Sequence, residues 1–389
     1  MSEEDTPAAV SDSRLAGFPS TLLALVDRGV PDDGIAYVGL LLERALTELS
    51  PWTRTITVFP DVEGGADPTL LQRGLFTARL VRGSRRADLV LFNHLGVATA
   101  EVSLPVRMRR PFAVFLHGKE AWAPDIEPGL KRALAEATVL IANSELTAQR
   151  VHEAHPEVPM PQACPLSLLP DLPSGSIDGA LVSSVTSRTI VIAGRMNDTE
   201  RHKGHEDLLD AWPTVLARRP DARLSVVGRG NDVKRLEAKS NALGLAGSVR
   251  FAGFVSDATL DAMLVRAGGF ALPSRGEASA LGYLRAMRAG VPCIGGADDA
   301  GREVIEDGVT GMLVPAGDRD ALARAVIDLL GDSERRKRMG EAGRARFEER
   351  FTFDRFVQRL GRILVNARPR SPGASVAREA GSPATPRQT

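Results

Sequence analysis

The chain has 389 residues, 43% apolar and 25% charged, a globular composition that is too long for one hydrophobic core and too apolar for disorder. Lys plus Arg and Asp plus Glu both number 49, so no global field attracts a polynucleotide, and nucleic acid is excluded as a first expectation. The two cysteines, Cys164 and Cys293, cannot form a disulfide framework, and neither has a second Cys or a His at zinc-ligand spacing.

The chain opens on MSEEDTPAAVSDSR, acidic and Pro/Ser-bearing where a signal peptide needs positive charge and then an apolar run. Residues 1–19 therefore read as a flexible tail and the expected location is cytoplasmic. No stretch reaches the roughly 18 apolar residues of a membrane span, so membrane contact would be peripheral, at the inner membrane face. Residues 20–175 carry a β-α-β rhythm, in which short apolar runs alternate with amphipathic segments: TLLALV (21–26), TITVF (55–59), LVLF (89–92), FAVFL (112–116) and TVLIAN (138–143). Continuous rather than alternating apolar runs predict strands covered on both faces, as in a parallel sheet. Arg79, Arg82, Arg85, Arg86, Arg107, Arg109 and Arg110 make this half locally basic, which fits a solvated helix face, an anionic lipid surface or an anionic acceptor.

After CPLSLLPD (164–171) a Pro/Gly/Ser-rich stretch, PSGSIDGALVSS (173–184), marks a boundary near 172–187. The rhythm restarts over 185–350 with TIVIAG (189–194), RLSVVG (223–228), VRFAG (249–253), GGFALPS (268–274) and VPCIGG (291–296). The helical pattern FTFDRFVQRLGRILVNA (351–367) is expected to return to the first domain, and 368–389 reads as a second flexible tail. The expected architecture is α/β: two Rossmann-like domains facing each other across a cleft, with ligands bound at the carboxyl ends of the strands.

The most informative segment is IAGRMNDTERHKGHEDLLDAWPTVLARRPDARLSVVGRGND (192–232), a strand, a basic loop, a helix and a strand ending in glycines. Arg195 and Lys203 read singly as solvated loop charges. At one strand end, however, a guanidinium fork and an ammonium can converge on a diphosphate and stabilise it as it departs. Gly228 and Gly230 alone are a weak signal, since glycines close many strands for steric reasons. Asp318 and Asp320 have the Asp-x-Asp spacing of a metal site, but following Pro315 and preceding ALARAVIDLL, Asp318 is better read as a helix N-cap, and no metal is expected.

In the order Gly194-Arg195, Lys203-Gly204, helix, Gly228-x-Gly230, the segment resembles retaining, nucleotide-sugar-dependent glycosyltransferases of the GT-B fold, the family 4-like "group 1" enzymes. The resemblance continues through 249–322. It implies that Arg195 and Lys203 grip the donor diphosphate and that Glu277, in Pro-Ser-Arg-x-Glu, presents its carboxylate to the donor sugar. It also implies that backbone N–H groups at Leu281 and Gly282 cradle the donor phosphate at a helix start. Phe254 would lie beside the nucleotide base, Gly34 would admit the donor phosphate to a backbone N–H, and His117 in FLHGKEAW would face the donor sugar and acceptor; His94 in LFNHLG ends another strand of the same cleft. Glu277 and His117 are thus the catalytic candidates.

One departure stands out. Eight residues after Glu277 the family places a carboxylate for the nucleotide ribose, and this chain has Arg285, which with Phe254 would contact the nucleotide; Ala278, Ser279 and Ala280 also replace the usual Gly-Phe-Gly. A guanidinium reverses both charge and hydrogen-bond direction. The resemblance implies glycosyl transfer with retention, without cofactor or metal, from a nucleotide-diphosphate sugar to a glycan, lipid-linked or small-molecule acceptor. A donor- or partner-binding protein with impaired catalysis is the alternative that Arg285 motivates. A nucleotide-sugar 2-epimerase shares the architecture, but its acid and base groups are not found by motif.

Overall fold

A computed structural model describes residues 18–27, 34–50, 53–59, 69–123, 125–170, 175–276 and 279–367. The first six-stranded sheet contains β1 (Thr21–Asp27), β2 (Arg54–Phe59), β3 (Leu89–Phe92), β4 (Phe112–Leu116), β5 (Val139–Ala142) and β6 (Gln162–Ala163). Their order is β2-β1-β3-β4-β5-β6, every pair parallel. Its helices are α1 (Gly34–Leu49), α2 (Leu70–Ser84), α3 (Leu95–Ser103), α4 (Lys119–Trp122), α5 (Pro128–Glu136) and α6 (Glu145–Ala154).

The second six-stranded sheet contains β7 (Thr189–Ala193), β8 (Arg223–Val227), β9 (Val249–Gly253), β10 (Gly269–Leu272), β11 (Cys293–Gly296) and β12 (Gly311–Val314), in the order β12-β11-β10-β7-β8-β9, again all parallel. Its helices are α7 (Gly179–Ser184), α8 (His205–Arg218), α9 (Val233–Ala242), α10 (Asp257–Arg266), α11 (Leu281–Arg288), α12 (Gly301–Val304) and α13 (Arg319–Gly331), followed by α14 (Ser333–Arg350) and α15 (Phe353–Asn366). Two strands escape the apolar-run signal. β6 is two residues long among prolines, and β12 is a four-residue edge strand entered through a glycine.

Helices on both faces explain the unbroken apolar strands. All residues of β3, β4 and β5 are buried. Within β1 the two-residue period divides the core: Leu23 and Leu25 face one apolar cluster with Leu41 and Leu42 of α1, while Leu22 and Ala24 face another with Phe76 and Leu80 of α2. Each of the leucines and Phe76 contributes about 1.5–3 kcal/mol on burial.

Both sheets reverse direction once, between β1 and β3 in the first and between β7 and β10 in the second. A doubly wound sheet opens a crevice at that point, which fixes where a ligand can enter. The last helix lies against the first: a Cβ on Gly361 of α15 would stand 2.9 Å from Cδ2 of Leu49 in α1, and Arg359 Nη2 donates to Pro165 O at 2.8 Å. Asp318 caps α13, its carboxylate accepting from Ala321 N at 2.8 Å.

Candidate active site

The second sheet builds a cradle from three strand ends. Backbone bonds from Gly194 N to Val227 O and from Met196 N to Arg229 O zip the loops after β7 and β8 together. Gly228, at φ +133°, leaves no room for a side chain, because its Cβ would lie 2.0 Å from Gly194 O. Gly204, at φ +80°, similarly presses the basic loop onto Pro273 after β10, and Arg275 N donates to His202 O at 2.8 Å.

That folding brings Arg195 and Lys203 onto one oxygen. Arg195 Nη2 and Lys203 Nζ lie 2.9 and 3.4 Å from Glu200 Oε1, while Asn197 Nδ2 donates to Oε2 at 2.8 Å. Burial pushes the Glu200 carboxyl up, but Lys203 and Arg195 together outweigh it and hold it below its usual range. An anionic oxygen thus sits between the two cations that the sequence assigned to a diphosphate. Beside them His205 is buried, and burial followed by the Lys203 charge lowers its imidazole to about 4, so it is neutral at pH 7.

Around this cradle the predicted residues fall into place unevenly. Phe254 is not a core aromatic: it is 53% exposed after β9, with the Arg229 guanidinium 4.9 Å from its ring centre. Leu281 and Gly282 open α11, whose N-cap Ala280 makes no side-chain cap bond. Gly282 also has a packing reason, since a Cβ there would stand 2.9 Å from Phe270 Cζ. Glu277 lies outside the described residues, directly after Gly276.

Arg285 turns away from any role as a lone cation. Its side chain is buried, and Nη1 lies 2.8 Å from Asp257 Oδ1 and 3.2 Å from Asp261 Oδ1, both on α10, where Arg288 Nη2 also meets Asp261 Oδ2 at 2.8 Å. A buried guanidinium demands such partners.

On the first sheet, His117 directly follows β4 and precedes buried Gly118 at φ +150°. Its backbone N–H donates to Glu120 Oε1, and its ring bonds Asn93 O. A carbonyl only accepts, so Nε2 carries the proton. His94 stacks on it at 5.9 Å between ring centres and 25° between planes. Asn143 Nδ2 donates to His117 O at 2.9 Å, and Asn93 Oδ1 accepts from Val26 N at 2.8 Å, so two asparagines at strand ends fix the geometry. Gly34 is exposed at the start of α1 with nothing within 4 Å of a would-be Cβ, so packing does not require glycine there. Across the cleft, Lys119 Nζ meets His202 Nδ1 at 3.5 Å.

Among the described residues no group of three His, Cys, Asp or Glu could hold a metal ion. A cavity of about 640 Å³ lies at the opposite ends of β7, β8 and β9, lined by Arg223, Ser225, Ser240 and Arg250, and includes none of these residues.

Residues 178–346 match the family model "Glycosyl transferases group 1". A GDP-mannose-dependent monoacylated alpha-(1-6)-phosphatidylinositol monomannoside mannosyltransferase of Corynebacterium glutamicum is 31% identical over 263 residues, which cover 64% of this chain and 68% of that protein. The chain belongs to the glycosyl transferases group 1 family. A phosphatidyl-myo-inositol mannosyltransferase of Mycobacterium leprae is 39% identical over 157 residues, 40% of this chain and 41% of that one, so the chain aligns with well under half of the latter's length. Among solved structures, Anabaena Alr3699/HepE in complex with UDP and glucose superposes with a TM-score of 0.69 at 18% identity over 89% of this chain and 99% of that one. Sucrose-phosphate synthase from Thermosynechococcus elongatus does so with 0.70 at 19% identity over 88% and 98%. The fold is therefore GT-B, and this group 1 chain is a glycosyltransferase.

Within this group 1 chain, sequence reading missed Glu200, Asn93, Asn143 and the α10 carboxylates. The asparagines had a signal, since FNH and ANS each follow a buried apolar run. Asp257 and Asp261 had none, because their partner is on another helix.

Proposed function

We propose that the protein transfers a mannosyl group from GDP-mannose, with retention of configuration, to a phosphoinositol-containing glycolipid at a membrane surface. The observation that carries this reading is the convergence of Arg195 and Lys203 on a single anionic oxygen, Glu200 Oε1, at a strand end of the second sheet. A diphosphate oxygen presents the same charge and acceptor geometry, and the two cations would stabilise the leaving GDP. The donor and acceptor classes come from relatives named for GDP-mannose and phosphatidylinositol.

His117, with its proton on the Asn93 side, would face the sugar and acceptor hydroxyl, and Glu277 would orient the donor sugar. Leu281 and Gly282 would add backbone N–H groups to the phosphate, Gly34 would let the first sheet approach it, and Phe254 with Arg229 would flank the base. Arg285 would reach the nucleotide only through the carboxylates it holds. No helix among the described residues is long and apolar enough to cross a membrane. The lipid contact would fall on α2, where Leu71 and Leu75 are exposed beside Arg79 and Arg82, and on exposed Val106 and Met108 near Arg107.

The test is titration with UDP-, GDP-, ADP- and TDP-sugars, then incubation of labelled GDP-mannose with phosphatidylinositol vesicles. Selective GDP-mannose binding with label entering lipid is expected. Tight binding without turnover on any acceptor or water would favour the impaired-catalysis reading that Arg285 motivates, and no GDP-sugar binding would sink the proposed donor.

A further inference from the structure

Glu303 lies in α12, between β11 and β12 of the second sheet, yet its hydrogen bonds go to the first. Its Oε1 accepts from Leu146 N at 2.6 Å and its Oε2 from Glu145 N at 3.0 Å. These are the first two N–H groups of α6, which no intrahelical carbonyl can satisfy. The third, Thr147 N, is taken by the N-cap Ser144 Oγ at 3.1 Å. The helix is thus capped jointly by its own serine and by a carboxylate from the other domain, placed where the helix dipole favours negative charge.

One turn on, Arg150 makes a second crossing. It lies 5.0 Å over the Trp122 ring, donates from Nη2 to Asp298 O at 3.2 Å, and brings Nη1 to 3.2 Å from where a Cβ on Gly276 would stand. From the capped end of α6 a short chain of bonds runs to the catalytic candidate. Thr147 Oγ1 donates to Asn143 Oδ1 at 2.7 Å, and Asn143 Nδ2 donates to His117 O at 2.9 Å.

We propose that Glu303 is a positioning residue for transfer: by capping α6 across the cleft it sets the separation of the two domains and the placement of His117 over the donor. This rests on the reaction proposed above. Two rigid sheets joined by a carboxylate on two N–H groups have a defined closed state, and transfer depends on such alignment more than on donor affinity.

The decisive comparison is Glu303→Gln, which keeps the shape but loses the charge and one acceptor, with Glu145→Pro, made on the other domain. Proline is favoured at the first helical position, and Ser144, at φ −160° and ψ 159°, already has the extended backbone a following proline requires. Glu145→Pro therefore deletes one of the two donors and leaves α6 intact, and Glu145→Gln controls for the lost charge. Both test variants should lower kcat by about tenfold with the GDP-mannose KM within about twofold of the parent. Both should enlarge the radius of gyration of the GDP-bound protein in small-angle scattering, and the double variant should be no slower than the slower single one.

Glu145→Gln should match the parent. Unchanged kcat and scattering in Glu303→Gln and Glu145→Pro, multiplying losses in the double variant, or a rate loss that tracks a fall in melting temperature at constant radius would each overturn the proposal. If the parent transfers nothing from GDP-mannose, the functional reading fails, and the scattering comparison still decides the role of Glu303.

Discussion

The two halves share an architecture and differ in how they hold their polar groups. At the strand ends of the second sheet the cations are met by carboxylates, Arg195 and Lys203 by Glu200, Arg201 by Asp232 and Arg275 by Asp207, and behind them Arg285 of α11 is met by Asp257 and Asp261. At those of the first sheet, three polar side chains each bond a backbone group: His117 to Asn93 O, Asn143 to His117 O and Asn93 to Val26 N. The first arrangement would suit a half that receives a multiply charged group, since an internal carboxylate can give up its cations to an incoming phosphate. The second suits a half whose task is shape, because backbone partners cannot be exchanged.

The largest break in that contrast should come from the donor cradle. Replacing Arg195 and Lys203 together by Ala removes both charges facing the diphosphate, and kcat/KM for the donor should fall by about a thousandfold or more, measured by initial rates. His117→Ala should act differently. It is expected to lower kcat by about a hundredfold while calorimetric affinity for GDP-mannose stays near the parent value, because the imidazole belongs to the shape-holding half. A matching loss of donor affinity would erase the distinction. The smallest effect sharpens it from the other side: Glu200→Gln frees the two cations of their internal anion, and GDP should bind about threefold to tenfold more tightly in the same titration, with the gain shrinking as salt is raised.

The contrast also explains what could be read in advance. Strands buried on both faces announce themselves as apolar runs, so β3, β4, β5, β7 and β10 were legible in the sequence, whereas β6 has only two residues and β12 is an edge strand entered through a glycine. Arg195 and Lys203 were singled out by the order of motifs that the segment shares with the family, and the structure brings them to one carboxylate. Their partner Glu200 was not, since only the turn over Asp198–Lys203 brings it back between them. Arg285 was visible as a departure, but its two carboxylates on α10 are a tertiary fact. Glu303 is locally an ordinary first-turn acid of a short helix, and nothing local says that the N–H groups it satisfies lie more than 150 residues away.

The return of α15 onto α1 has a consequence for how the cleft can move. The chain passes between the halves once through the segment leading to α7 and again where α15 lies on α1, held by Arg359 at Pro165 and by Leu49 against Gly361. A door hung on two pins swings about the line through them and resists twisting and sliding. If the two crossings act as such pins, opening would be a swing about the line through them, and the bonds from Glu303 to α6 would be broken and remade with each swing.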